Sequence, residues 1–462
     1  MLPRWCPQWS TRALRLLLTP AAFASLLLAL ACTAWLYSQS CGGPLQSGSQ
    51  SFALGPFPAY TRPQQPQPPL ASGAAPLVDI VYVSAFPQHL RSSLRSLCHF
   101  LAPEDVGSVH LVVPDRMVAF FQESLPGLQC PPAPGSARRL GFRVWGESTL
   151  VPEFTQAARH TGTVRQMALK LAAATIVSAP FYLVMDSDVY ARQPFGVADL
   201  LLPSSDGRLR ARTGLDQLDY AQPDSWFRSS AHLLQTPLVA DTDAFCAAQG
   251  SATEQWFAAT GNATVPPDAP FALQPGLQPG ARVYGACRSG RGHATHVTPM
   301  LLSRELVADV LLPRLARAAA ASAGHGSWVT ALLDYQALRE AQCWHALTSL
   351  FSGARFYTWT EYSLYFVAGV ASGALDQFHA FPPQGGITSY RHSIMMPDAY
   401  EAADWDAIFT DASDPAPFFI VHSWFNKPLA VTNARLSRHI PGLAEAEAAV
   451  AVPQPSALPL YA

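Results

Sequence analysis

Two carboxylates one residue apart, Asp186 and Asp188, close the apolar run Phe181–Met185 in the stretch FYLVMDSDVY. A short apolar run bounded by Pro180 and Pro194 reads as a buried strand of an α/β sheet. Ligand sites in open α/β sheets lie beyond the carboxyl ends of the strands, where these acids fall. Two oxygen ligands presented there suit a hard divalent cation carrying a phosphate. The bland alternative is a pair of solvated acids or a helix cap.

Just upstream, Thr163–Ser178 places Val164, Met167, Leu171 and Ala174 on one face at helical spacing. Gln166 and Lys170 stand four apart on another face, with Arg165 beside them. Either these are a solvated helix surface, or Lys170 or Arg165 turns toward a diphosphate and offsets its charge. Later in the chain, Thr360-Glu361 reads as an ordinary helix start. Glu361 could otherwise bond substrate hydroxyls or act as general base in an inverting transfer. His422 follows the apolar run Pro417–Val421, where a hydrogen-bonded core histidine is as natural as a ligand. A second Asp-x-Asp, Asp241–Asp243, follows a run broken by Pro237 and reads as a loop.

The elements around these residues alternate. Leu77–Ser84, Val106–Val113, Gly141–Trp145 and the acid-bearing run read as strands. Helical stretches over Gln88–Phe100 and after Pro114-Asp115 separate the first three. That order predicts a doubly wound, mainly parallel sheet with helices on both faces. The acids would then close over the phosphates of a nucleotide bound near the ends of the first strands. Residues 77–440 form the expected catalytic domain, 197–291 an irregular insertion rich in Pro, Gly and Gln, and 441–462 a tail.

The Asp-x-Asp resembles the motif of GT-A glycosyltransferases. VRQMALKLAAATIVSAPFYLVMDSDVYARQPF further resembles a segment of an uncharacterised, DUF-type group of glycosyltransferase-like proteins. In that group an Arg-Gln-x-x-x-Lys helix precedes an apolar strand, an Asp-x-Asp and a short link to Pro-Phe. HVTPMLLSRELV (His296–Val307) and TWTEYSLYF (Thr358–Phe366) also resemble it. The resemblance implies a GT-A-like fold and transfer of a hexose or pentose from a nucleoside-diphosphate sugar to a glycan or glycoprotein. It implies Mn²⁺ or Mg²⁺, with Asp188 on the metal and Asp186 on ribose or metal-bound water. His422 would complete the metal shell and Lys427 would meet phosphate, although their spacing is one residue shorter than the family pattern. His296 would line the acceptor side, and His293 reads as loop. Whether transfer retains or inverts configuration is left open.

Two rival readings stand beside this one. The first is a catalytically silent lumenal module that binds glycans or nucleotide-sugars. The second is a metal-dependent phosphatase or phosphotransferase. That second chemistry wants Thr or Val two places past the second acid, where Tyr190 stands, and no Gly here is followed by Asp.

The chain's ends speak to place. Arg4, Arg12 and Arg15 precede the uncharged apolar segment Leu16–Tyr37, long enough to cross a bilayer at about 1.5 Å rise per residue. The basic flank predicts a cytosolic tail (1–15), a signal-anchor (16–37) and everything later across the membrane. Residues 38–76, rich in Pro and Gln, read as a disordered, semi-extended stem. That layout is the one expected of a single-pass type II Golgi protein. Of the eight cysteines, Cys41, Cys98, Cys130, Cys246, Cys287 and Cys343 lie past the apolar segment, with pairing open. Asn262-Ala263-Thr264 is a glycosylation sequon. Net charge is −2 with 13% charged residues, which excludes a basic nucleic-acid surface.

Overall fold

A computed structural model gives the structure of the chain. It describes residues 76–443 apart from 105, 129, 131–139, 156–161, 219–222, 237–291, 296–297, 324–325, 348–358, 381–385, 390, 396 and 423–427, together with Leu54, Phe57, Pro58 and Tyr60. The signal-anchor, His296, Lys427, Asn262 and Asp241–Asp243 lie outside the described residues. No helix among the described residues is long and apolar enough to cross a membrane.

The chain opens its sheet with β1 (Val78–Val83), α1 (Pro87–Phe100), β2 (Val106–Val113), α2 (Val118–Leu128) and β3 (Gly141–Gly146). It then crosses back through α3 (Gly162–Ala172) to β4 (Phe181–Met185). All five residues of β4 are wholly buried. Each such side chain contributes roughly 1.5–3 kcal/mol of transfer free energy, which explains why the run is apolar on both faces. The strand order is β3-β2-β1-β4, all parallel, with the antiparallel β10 (Met300–Ser303) on the outer side of β4. The sheet is thus mixed α/β and mainly parallel. β10 was expected as the entry to a helix; its buried MLLS instead covers the edge of β4 before the helical turns of Leu306–Leu311 and α5 (Leu312–Ala323) begin.

Strand order reverses at β1 and β4, so the crevice between their carboxyl ends is the topological switch point. Register puts Tyr82 opposite Met185, leaving Val83 and Asp186 side by side at that end.

The acids lead into β5 (Val189–Ala191), which pairs antiparallel with β12 (Phe418–Ile420). Serines of α1 hold the same strand: Ser93 Oγ donates to Val189 O at 2.5 Å, and Ala191 N donates to Ser96 Oγ at 3.1 Å. Arg192, 1% exposed, gathers the turn before β12 by donating to the carbonyls of Ile408, Asp411, Asp414 and Ala416. A core of Tyr190, Phe419, Val421, Tyr400, Trp405 and Leu436 closes this side and continues to Leu443, past the boundary expected at 440.

The expected irregular insertion is regular where it is described. It includes β6 (Leu201–Pro203), β7 (Leu209–Arg212), β8 (Leu215–Leu218), α4 (Pro223–Leu233) and β9 (Gly292–Thr295). β8 and β9 pair with Leu218 opposite Gly292, and this ladder puts His293 in a strand rather than a loop. β7 also pairs with the short β11 (His379–Ala380).

Two aromatic positions within the expected stem are held against the folded chain. Phe57 is 4% exposed under the Arg314 guanidinium, 4.5 Å from its ring centre. Tyr60 N donates to Ser372 O at 3.0 Å, and Gln377 Nε2 donates to Tyr60 O at 3.0 Å. Aromatic side chains at these two positions bury area that a Pro/Gln spacer lacks. Asp334–Leu347, the later part of α6 (Trp328–Leu347), belongs to a unit separate from the sheet.

Candidate active site

The i, i+4 pair on α3 shares one helix face, and that face turns toward the carboxyl ends of β1 and β4. Gln166 Nε2 donates to Val83 O at 3.0 Å and to Asp186 Oδ1 at 2.9 Å, tying the ends of β1 and β4 together. Lys170 Nζ reaches Asp186 Oδ1 at 2.9 Å, Glu361 Oε1 at 2.8 Å and Thr298 Oγ1 at 3.3 Å. An ammonium has three donors, and here each has an acceptor. Lys170 is 4% exposed. It therefore has no hydrogen left to offer a diphosphate, and the expectation that it turns toward phosphate is replaced by an inward role on Asp186.

Glu361 opens α7 (Glu361–Ser372), whose cap is Thr360 Oγ1 accepting from Ser363 N at 3.0 Å. The helix start expected here is present, and the carboxylate is nevertheless held by Lys170. At 2% exposed it is not presented to a solvent-borne hydroxyl. Burial pushes its carboxyl above the usual range, with Lys170 pulling it back. Burial works against the Lys170 ammonium, but Asp186 and Glu361 outweigh it and hold its pKa well above the ordinary lysine value. Thr298 Oγ1 and Tyr362 OH share a hydrogen bond of 2.6 Å, and Lys170 Nζ lies 5.3 Å from the Tyr362 ring centre. Tyr362, Tyr365 and Trp359 are core residues, as their types suggested.

Asp186 differs from its partners in access. Its side chain is 24% exposed against 3% for Glu361. The network behind it fixes its orientation while part of it faces out. Asp188 sits on the turn that follows, and its carbonyl accepts from Val421 N at 2.9 Å. The next residue of that strand is His422, so β5–β12 pairing brings His422 alongside the acid turn at the level of the backbone. His422 N in turn donates to Ile394 O at 3.0 Å. Arg165, one position off the Gln166–Lys170 face, leaves the crevice: its guanidinium pairs with Glu147 at 2.5 Å and lies 4.7 Å from the Phe154 ring centre.

Three participants were not singled out from sequence. Thr298 lies two places after His296 in the HVTP segment, which was the only signal for it. His89, at the start of α1, has its imidazole held below the ordinary value by burial, with the Asp188 carboxylate opposing that shift. Beside it, the half-exposed Phe86 ring meets His89 edge-on at 6.0 Å between centres. Both follow β1 directly, at the same sheet end as the acids.

Among the described residues no group of three or more His, Cys, Asp or Glu side chains converges on one point. A three-ligand shell of Asp186, Asp188 and His422 is thus not seen among the described residues. Two carboxylates one residue apart, at the end of β4 and on the turn after it, remain. They fit Mg²⁺-type sites, which use one or two carboxylates and take their other ligands from water and substrate phosphates.

Residues 89–444 match the model of a family of unknown function, DUF6492, and the chain belongs to that family. No curated protein matches the sequence. Among solved structures, apo mouse xyloside xylosyltransferase 1 is 12% identical over 77% of this chain and 100% of its own, with a TM-score of 0.31. The apo glycosyltransferase GlyE of Streptococcus pneumoniae TIGR4 is 13% identical over 31% of this chain and 30% of its own, at 0.19. Glucosyl-3-phosphoglycerate synthase of Mycobacterium tuberculosis, solved with Mn²⁺, UDP and glucosyl-3-phosphoglycerate, is 15% identical over 30% and 44%, at 0.18. Scores this low carry no argument about fold or activity.

Proposed function

We propose that the chain is a glycosyltransferase of GT-A type, moving a sugar from a nucleoside-diphosphate donor to a glycan or glycoprotein with a divalent cation, Mn²⁺ or Mg²⁺, at Asp186 and Asp188. The observation that carries this reading is the partly open Asp186, clamped by Gln166 and Lys170 at the switch point of a parallel sheet, with Asp188 on the next turn. A nucleotide in that crevice would have its phosphates at the acid turn. Bound there, the cation would supply charge stabilisation for the leaving diphosphate.

The chain's own residues position the parts. Gln166 and Lys170 orient Asp186, and the β5–β12 ladder holds the Asp188 carbonyl beside His422. Phe86 and His89 line the donor side of the crevice. A pair of carboxylates aimed at a phosphate also suits phosphatase chemistry, but the motif departures at Tyr190 and the missing Gly-Asp favour sugar transfer. A type II Golgi placement belongs to the same proposal. It is supported by the basic-then-apolar N-terminus and by the disulfide Cys98–Cys130, a bond that persists on the oxidising side of membranes.

The test uses the full-length chain in detergent with a panel of nucleotide-sugars, Mn²⁺ and glycan acceptors. Nucleoside diphosphate should be released from at least one donor. Asp188→Ala should lower that rate by at least about a hundred-fold, the scale on which removing a main electrostatic contact acts. Equal release from both proteins contradicts the assignment. Binding of donors without any release identifies the silent module instead.

A further inference from the structure

Buried lysines facing one carboxylate make a neutral pair, and a neutralised acid is a poor ligand for a cation. Here the count differs. Lys170 carries one positive charge between two carboxylates, joined to it by contacts of 2.8 Å and 2.9 Å. Glu361 and Lys170 are sealed in, at 3% and 4% side-chain exposure, while Asp186 is the member that reaches the crevice at 24%. The trio's surplus negative charge therefore has one outlet. Thr298 takes the third donor of Lys170, and Tyr362 holds Thr298 in turn, so the ammonium cannot swing wholly onto Asp186.

We infer that Glu361 is a positioning residue that balances the Lys170 charge and so keeps the cluster behind Asp186 net negative, setting the metal affinity of the acid pair without touching metal or substrate. The inference rests on the metal reading above and deepens it. It also assigns Glu361 a use other than general base: its buried side chain reaches Lys170, not the crevice. A divalent cation on the open side of Asp186 would stand about 8 Å from Glu361, and at an effective dielectric near 40, between the near-surface value and water, that charge is worth about thirty-fold in binding.

The experiment measures Mn²⁺ binding to the full-length protein by the electron paramagnetic resonance of free Mn²⁺, with and without a panel of nucleoside diphosphates. Unfolding midpoints are recorded alongside. Glu361→Gln keeps shape and an acceptor for Lys170 but removes the charge. It should weaken Mn²⁺ binding about ten- to a hundred-fold at a temperature where the protein is folded, and Glu361→Asp should stay within about threefold of the parent. Glu361→Gln binding Mn²⁺ like the parent overturns the inference and leaves the metal reading standing. A parent chain that binds no Mn²⁺ under any condition overturns both. Should Glu361→Gln not fold, Glu361→Asp decides: a tenfold loss of affinity with an unchanged unfolding midpoint overturns the charge argument.

Discussion

At the scale of single residues, the chemistry of the crevice turns on what Lys170 can still give. The spacing of Gln166 and Lys170 was readable as one helix face, and the structure brings both side chains of that face to Asp186. The direction of Lys170 was not readable, because Glu361 arrives from a helix far along the chain and Thr298 from the approach to β10. Local pattern carries no record of such partners. Holding the buried Glu361 carboxylate and the partly open Asp186 on one ammonium makes Lys170 costly to lose. Lys170→Met should destabilise the fold by about 3–5 kcal/mol, since it leaves buried charge without its counter-ion. Urea denaturation checks this, and a loss under about 1 kcal/mol would mean that the carboxylates find other partners.

At the scale of elements, the parallel strands were legible because each is a short apolar run bounded by turn residues, and Val106–Val113 was read with its observed limits. Pairing across long separations was not. PFFIV reads as a strand, yet nothing local says that it pairs with the three residues after the acids and so brings His422 to Asp188. The same holds for β8 and β9, whose ladder was hidden inside a Pro-, Gly- and Gln-rich stretch read as irregular.

A second inter-element device makes a pH prediction. Tyr365 of α7 hydrogen-bonds His379 Nε2 at 2.6 Å, Thr213 after β7 meets Nδ1 at 2.7 Å, and Ser303 N of β10 donates to the Tyr365 hydroxyl at 3.0 Å. Burial pulls the His379 imidazole down to about 3 from an ordinary 6.5. The folded state thus resists a proton that the unfolded chain accepts. The stability from this group is fully present above pH 6.5 and is lost as pH falls toward 3. From His379 alone the loss between pH 6.5 and 5 should be about 2 kcal/mol. Urea midpoints at the two pH values should show that slope in the parent and a shallower one in His379→Gln; equal slopes would contradict it.

At the scale of the whole molecule, the stem shows where composition misleads. Its Pro- and Gln-rich character argued for a spacer, but two aromatics suffice to fasten Phe57 and Tyr60 to the folded unit. Phe57→Ala should cost about 3 kcal/mol by leaving a cavity under Arg314, read as a lowered urea midpoint of the full chain. A spacer would show no change. The parallel order β3-β2-β1-β4 sets the crevice, and the catalytic proposal stands or falls on what binds in it.

The most direct measurement is anomalous scattering at the manganese edge from crystals of the protein grown with Mn²⁺ and the nucleoside diphosphate that binds best. The account predicts a single strong peak about 2.0–2.6 Å from a carboxylate oxygen of Asp188, with the diphosphate on its far side and the nucleoside in the crevice between β1 and β4. A nucleotide bound elsewhere, with no peak at Asp186 or Asp188, would contradict it.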